Sequence, residues 1–244
     1  MSMPNNPYKR ILLKISGETL MGSQQFGINQ EACERLAKSI DRMRGSGLQV
    51  AVVIGGGNIF RGIQLEHMGL ERTPADQMGM LATMINGIAL QQALGQINCK
   101  AVVMSSISCT GLVDSFDLRR AIEHLESENI IIFVGGTGNP YFTTDTAAAL
   151  RASEIQADIV LKATKVDGVY DKDPMVHSDA KKFDVLTYSK ALSDNLKVMD
   201  ATAIAMCRSS NIPIFVFNMK YLDEDKILSA LSQEGLGTLV KGEF

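Results

Sequence analysis

Val50-Ala51-Val52-Val53-Ile54-Gly55-Gly56-Gly57-Asn58 is an apolar run that ends in a glycine-rich turn, and the chain uses the same device twice more. Ile11 to Ile15 runs into Ser16-Gly17, and Ile130 to Val134 runs into Gly135-Gly136-Thr137-Gly138-Asn139-Pro140. Glycines at the carboxyl ends of parallel strands let backbone N–H groups close around phosphate, and the helix N-termini that follow add favourable partial charge. Three such turns on one sheet predict a site for more than one phosphate group.

Outward from these turns, strand and helix alternate. Met1 to Pro7 reads as a loose tail before a first strand at about Tyr8 to Ile15. A helix covers about Asn29 to Arg44, and Gly45-Ser46-Gly47 ends it before a strand at Leu48 to Ile54. Then come a helix near Pro74 to Leu94, a strand at Lys100 to Met104, a helix at Asp114 to Glu126 and a strand at Ile130 to Val134. A helix from about Thr144 to Ile155, a strand at Asp158 to Leu161, a helix over Asp200 to Ser210 and a strand at Ile214 to Phe217 complete the pattern. The order predicts an α/β fold, three layers α/β/α around a mostly parallel central sheet. From Gln77 no charged residue occurs until Lys100, so this helix has no solvated stripe. It is either a deeply buried core helix or one whose second face another subunit covers.

The chain has 244 residues and a net charge of -3, which gives no global attraction to nucleic acid or to an anionic membrane. Any phosphate site therefore depends on locally placed cations. Cys33, Cys99, Cys109 and Cys207 are irregularly spaced, without a C-x-x-C pair, and read as reduced thiols. His67, His124 and His177 are equally scattered, so a metal cage is not expected. No stretch reads as a signal peptide, and none reaches the roughly 20 apolar residues that span a bilayer. A soluble, cytoplasmic protein is expected.

Known phosphate chemistries can be tested against the turns. No stretch supplies the P-loop pattern G-x-x-x-x-G-K-[ST]. The dinucleotide fingerprint also fails, because Gly55-Gly56-Gly57 leads to Phe60 and Gly136-Thr137-Gly138 to Tyr141, where a ring would obstruct close helix-to-strand packing. There is no G-x-S-x-G elbow. Positive charge does accompany the turns: Lys14 precedes Ser16-Gly17, Arg61 closes the second turn, and Lys162 and Lys165 follow the strand at Asp158 to Leu161. Lys14 lies among Ile11, Leu12, Leu13 and Ile15, where an unpaired ammonium is costly. It needs an anionic partner, and a phosphate on the adjacent glycines is the economical candidate.

Taken together, the segments Tyr8 to Glu18, Val53 to Gly62, Asp76 to Thr83, Gly136 to Asp145, Leu161 to Tyr170 and Leu196 to Asp200 resemble those of bacterial-type UMP kinases of the amino-acid kinase superfamily. The similarity spans nearly the whole chain in order. It implies the amino-acid kinase (carbamate kinase-like) fold as one domain over residues 1–244, mainly UMP-binding in its N-terminal part and mainly ATP-binding from about residue 160. It implies reversible transfer of the ATP γ-phosphoryl group to UMP, giving UDP and ADP, in pyrimidine nucleotide (CTP) synthesis. Mg2+ accompanies ATP in such enzymes, which are cytoplasmic homohexamers that require neither nucleic acid nor membrane.

Carried across residue by residue, the resemblance lays ATP against Lys14, Ile15, Ser16 and Gly17, with Gly57 and Arg61 close to the transferred group. Thr164, Tyr170 and Asp173 would meet the base and ribose. UMP would lie against Gly56 and Asp76 and along Thr137, Gly138, Asn139, Pro140, Tyr141, Phe142, Thr143 and Thr144. Lys14, Arg61, Asp145, Lys162 and Asp200 are the catalytic candidates, and the magnesium ligands stay unassigned. Asp145 and Asp200 each open a helix, so each either stabilises its first turn or orients the phosphate-binding lysines or the magnesium. Asp167-Gly168 reads as a hairpin turn, and Asp173-Pro174 as a turn or a ribose contact. The loop Gly22, Ser23, Gln24, Gln25, Phe26 and Gly27 matches a segment linked in relatives to activation by GTP, and inhibition by UTP is a parallel expectation. Gln91 and Val102 stand where some GTP-regulated members carry arginines.

Because an acceptor phosphate is already largely ionised at neutral pH, such a transfer needs no general base. Two alternatives remain at this level: another phosphotransferase of the superfamily, acting on a carboxylate, carbamate or isopentenyl phosphate, and a non-catalytic oxoanion storage protein on the same fold.

Overall fold

A computed structural model describes residues 7–60, 69–223, 226–230 and 235–242. Nine strands form one sheet in the order β4-β3-β5-β2-β1-β6-β10-β11-β9. Its centre comprises β1 (Arg10–Ile15), β2 (Gln49–Ile54), β5 (Ile130–Val134), β6 (Ile159–Thr164) and β10 (Ile214–Asn218). At one edge lie β3 (Ala101–Ser105) and β4 (Asp114–Ser115); at the other, β11 (Gly237–Lys241) and β9 (Val185–Thr187). All neighbouring pairs are parallel except β10 with β11. A separate two-stranded ribbon joins β7 (Val169–Tyr170) to β8 (Lys182–Phe183).

Alternation along the strands sorts side chains into two cores. Ile11, Leu13 and Ile15 of β1 face one side, packed with Leu36, Ile40 and Met43 of α1 (Gln30–Gly45) and Met84, Leu90 and Leu94 of α2 (Arg72–Gln96). Leu12 faces the other side. There it meets Ala121 and Leu125 of α3 (Leu118–Glu126), the alanines of α4 (Thr144–Glu154), Tyr188 of α5 (Tyr188–Ser193), and Ala203 and Ile204 of α6 (Ala201–Ser209). The result is the three-layer α/β/α arrangement with a mostly parallel sheet.

Several boundaries differ from the sequence reading. Asp114 and Ser115 form the edge strand β4, and helix α3 begins only at Leu118, after Asp117 accepts a capping bond from the Arg120 amide at 2.9 Å. Strand β6 continues to Thr164, so Lys162 lies inside it rather than after it. Asp167-Gly168 does not close a hairpin, since β7 pairs with β8 across the Asp173-Pro174 turn. The strands β7, β8, β9 and β11 went unread because they are two to five residues long and carry little periodicity. Among the described residues, no helix is long and apolar enough to cross a membrane.

Candidate active site

Strand order reverses at β1: β2 lies on one side and β6 on the other, and ligand crevices in such sheets open at the carboxyl ends there. At that end Lys14 of β1 stands in register with Lys162 of β6. Two ammonium groups side by side on adjacent strands repel, and the structure offsets this with one carboxylate. Asp145, in the first turn of α4, places Oδ1 2.5 Å from Lys14 Nζ and accepts from Lys162 Nζ through Oδ2 at 2.8 Å. Lys162 Nζ also donates to the Val198 carbonyl at 2.7 Å. Each oxygen of Asp145 thus faces one of the two lysines.

All three side chains are less than a fifth exposed. Burial pushes the Asp145 carboxyl up, but Lys14 and Lys162 outweigh it and hold the group below its ordinary 3.8. Burial moves Lys162 below its ordinary 10.5, with Asp145 opposing the shift. A carboxylate of the chain itself thus stands beside Lys14, where the sequence reading expected a phosphate. The trio carries a net charge of about +1, and removing Asp145 would leave two unpaired cations.

Asp200 lies close enough to Lys162 to favour its charged form, and it also joins two helices. It caps α6, accepting from the Ala203 amide at 2.8 Å, and also accepts from the hydroxyls of Thr143 and, at 2.9 Å, Thr146. Thr143 in turn caps α4 through the amides of Asp145 and Thr146. Asp200 thus ties two helix N-termini together and sets the position of Asp145 from outside the lysine pair.

The glycine turns surround this trio. Gly55 N donates to the Ile15 carbonyl at 3.0 Å, joining the first two turns. A Cβ on Gly17 would fall inside contact distance of Asn58 Oδ1 and Gly55 O, and one on Gly56 would meet Ala82 Cβ at 2.8 Å. Gly57 has open space where a Cβ would stand, leaving its backbone approachable. Beneath the turn lies a buried asparagine pair. Asn58 Nδ2 donates to Asn86 Oδ1 at 3.0 Å and to Gly27 O at 2.8 Å. Asn86 Nδ2 donates to Asn58 Oδ1 and to Gly55 O, both at 2.7 Å. With both amino groups satisfied in full, this pair is a rigid support for the phosphate turn. It was missed because Asn86 hides in the stretch of α2 after Asp76 that carries no charge.

A cavity of about 620 Å³ opens beside Gly56 and Gly57. Of the residues expected along the acceptor, Gly56, Asp76, Thr137, Phe142, Thr143 and Thr144 line it; Gly138, Asn139, Pro140 and Tyr141 belong to the same loop but do not. Asp76 Oδ2 accepts from the Tyr141 amide at 2.7 Å and pairs with Arg72 at 2.8 Å. Tyr141 has φ 72°, a left-handed conformation uncommon for a tyrosine, and the Asp76 bond holds it there. Arg72 and Thr83 also line the cavity; the i, i+4 spacing of Arg72 and Asp76 was the signal that could have found the arginine.

On the donor side, Ser16 caps the short 3-10 turn at Gly17–Leu20, with Oγ accepting from Glu18 N at 3.3 Å. Ile15 is fully buried, so only its backbone can meet a ligand. Thr164 ends β6 opposite Asn218 of β10. Tyr170 donates to Asp167 at 2.5 Å, and Asp173 pairs with Lys197 at 3.0 Å, so these two sit on the β7–β8 side. In the loop Gly22 to Gly27, Phe26 is exposed and Gly27 is bonded to Asn58. Arg61 lies outside the described residues. No group of three or more His, Cys, Asp or Glu that could hold a metal ion occurs among the described residues, and both Asp145 oxygens face lysines.

A parallel sheet with two lysines and glycine turns at its switch point defines a class of phosphate-handling α/β proteins. The family model described as "Amino acid kinase family" matches residues 9–218, and the chain belongs to that family. Within it the relatives are uridylate kinases: that of Protochlamydia amoebophila is 58% identical over 232 residues, covering 95% of this chain and 92% of the relative. The uridylate kinase of Pseudomonas fluorescens is 51% identical, with 96% and 94% covered. Among solved structures, the UMP kinase of Bacillus anthracis superposes with a TM-score of 0.91 at 37% identity, 98% of each chain being covered. The UMP kinase of Ureaplasma parvum gives 0.89 at 40% identity, covering 96% of this chain and 99% of the other. These likenesses favour nucleotide phosphorylation over the storage and carboxylate-kinase alternatives.

Proposed function

We propose that this protein transfers the γ-phosphoryl group of MgATP to UMP, giving ADP and UDP. The observation that carries the reading is the register pair Lys14 and Lys162, bridged by Asp145, next to a glycine turn that opens into the 620 Å³ cavity. Bringing donor and acceptor phosphates together costs about 4 kcal/mol per unit charge pair at 4 Å and an effective dielectric near 20. Fixed cations and amide donors offset that repulsion. The triad supplies two cations in fixed positions, so little reorganisation is needed as charge shifts in the transition state. The acceptor phosphate attacks as the dianion already present at neutral pH, and the bond from the γ-phosphorus to the ADP oxygen breaks in line. No side chain needs to remove a proton.

Magnesium enters with the triphosphate, as part of the substrate. The chain works as one domain whose N-terminal part, with the cavity, takes UMP and whose part from about residue 160, with Thr164, Tyr170 and Asp173, takes the ATP base and ribose. Self-association into a homohexamer is supported by Leu81 and Ile85, which leave half of their surface exposed on α2. Activation by GTP from the Gly22 to Gly27 loop would have a short route to the glycine turn, through Gly27 and Asn58. The acidic composition and cytoplasmic role fit a small-molecule enzyme without nucleic acid.

The test is ADP release from ATP and Mg2+ with a panel of nucleoside monophosphates, carbamate and amino acids. Turnover with UMP above all others is expected. Turnover of a carboxylate or carbamate without turnover of UMP would overturn the reading.

A further inference from the structure

Arg151 of α4 is only 5% exposed, and phosphoryl transfer as described above does not use it. Its guanidinium stacks 3.6 Å from the ring centre of Phe116 and pairs with Glu154. Its Nη2 donates to Ser106 Oγ at 2.9 Å. The Ser106 hydroxyl donates in turn to the Gly136 carbonyl at 2.7 Å. A guanidinium has no acceptor, so Ser106 must receive from Arg151 and spend its single proton on Gly136. The direction of the chain is thereby fixed.

The chain ends on a turn that needs fixing. Gly135 and Gly136 have φ of 77° and 58°, a conformation that gives glycine many alternatives, and Gly136 lines the acceptor cavity. On its other side the turn is pinned by Thr83, whose Oγ1 accepts from Gly135 N at 2.7 Å. Two anchors, the buried Thr83 and a half-buried Ser106 backed by a charge-assisted bond from Arg151, therefore set one wall of the cavity. None of these bonds involves Lys14, Lys162 or Asp145.

We propose that Arg151, acting through Ser106, is a positioning residue for the acceptor nucleotide: it holds the Gly135 to Gly138 turn in the shape that receives the nucleoside monophosphate. This rests on the reading that the cavity takes UMP. Because the donor side is untouched, the effect of breaking the chain is selective.

The experiment is a steady-state comparison of Ser106→Ala, Ser106→Thr and Arg151→Met with the unmodified enzyme, varying UMP and ATP separately. Loss of one hydrogen bond in Ser106→Ala is expected to raise KM for UMP about three- to tenfold, with KM for ATP and kcat within about twofold. Arg151→Met shifts in the same direction, and Ser106→Thr, which keeps the hydroxyl, restores KM for UMP. An unchanged KM for UMP in Ser106→Ala, or equal rises for UMP and ATP, overturns the proposal while leaving UMP kinase activity intact. An unmodified enzyme that does not phosphorylate UMP takes down both.

Discussion

An ammonium group in an apolar strand has to be answered by something, and Lys14 is answered by Asp145, which also answers Lys162. When phosphates arrive, both lysines have an alternative anion at hand and Asp145 keeps them apart and aimed. Lys14→Ala should lower kcat by about 10²- to 10³-fold, the scale of losing a major charge-stabilising group, with the circular dichroism spectrum unchanged. Near-normal turnover in that variant would remove Lys14 from the mechanism. Asp145→Ala should do more than slow the reaction, because it strands two buried cations; a loss of about 3–5 kcal/mol in urea unfolding is expected.

The pH behaviour follows from the same trio. Asp145 titrates below 3.8, so its stabilising contribution is present above that pH and fades only as pH falls through the lower folded value. Lys162 titrates below 10.5, so its charge, and with it turnover, should be lost on the alkaline side at a lower pH than an ordinary lysine allows. A kcat profile that stays flat up to 10.5 would contradict this. Lys14 was legible in the sequence because its apolar neighbours made it anomalous. Its partner was not, because Asp145 comes from a helix 131 residues later in the chain and reads equally well as a first-turn acid.

At the scale of elements, the phosphate turn is held against α2 by close packing and by the asparagine pair. Gly56→Ala would press its Cβ onto Ala82 and the Gly79 carbonyl, and should cost about 1–3 kcal/mol. Asn86→Ala would leave Asn58 Oδ1 and Gly55 O without their buried donor, a loss of similar size. Thermal scans that place either variant within a degree of the unmodified protein would deny the turn this support. The long strands and helices were legible because hydrophobic periodicity and capping residues agree, as where Asn29 accepts from the Ala32 amide at 2.9 Å. The short edge strands were not. Pairing of β11 with both β10 and β9 is decided by tertiary packing, and Asp114-Ser115 joins the sheet through β3 although it adjoins a helical sequence.

Across the whole molecule, one sheet brings together glycine turns separated by more than a hundred residues. Its two halves meet at β1, where the proposed donor and acceptor sites share a seam. From Gln77 onward helix α2 carries no charge, and it offers Leu81 and Ile85 on a face that this chain alone leaves half exposed, although its other face is buried. Replacing both by lysine should shift the sedimentation coefficient toward that of the monomer; an unchanged coefficient would remove this face from the proposed self-association. The sequence made phosphate chemistry legible from its residues, whereas the choice of uracil depended on resemblance, because the cavity wall is built from backbone turns and from Arg72, Thr83 and Phe142, scattered over two segments.

The central claim is that a γ-phosphoryl group passes to a nucleotide phosphate between Lys14 and Lys162. Phosphorus-31 NMR of ATP, Mg2+ and UMP mixed with the protein tests it directly. The account predicts that the UMP signal is replaced by the two coupled resonances of UDP as ADP appears, and that Lys14→Ala nearly abolishes this conversion. Inorganic phosphate appearing in place of UDP, or equal UDP formation by the variant, would contradict it.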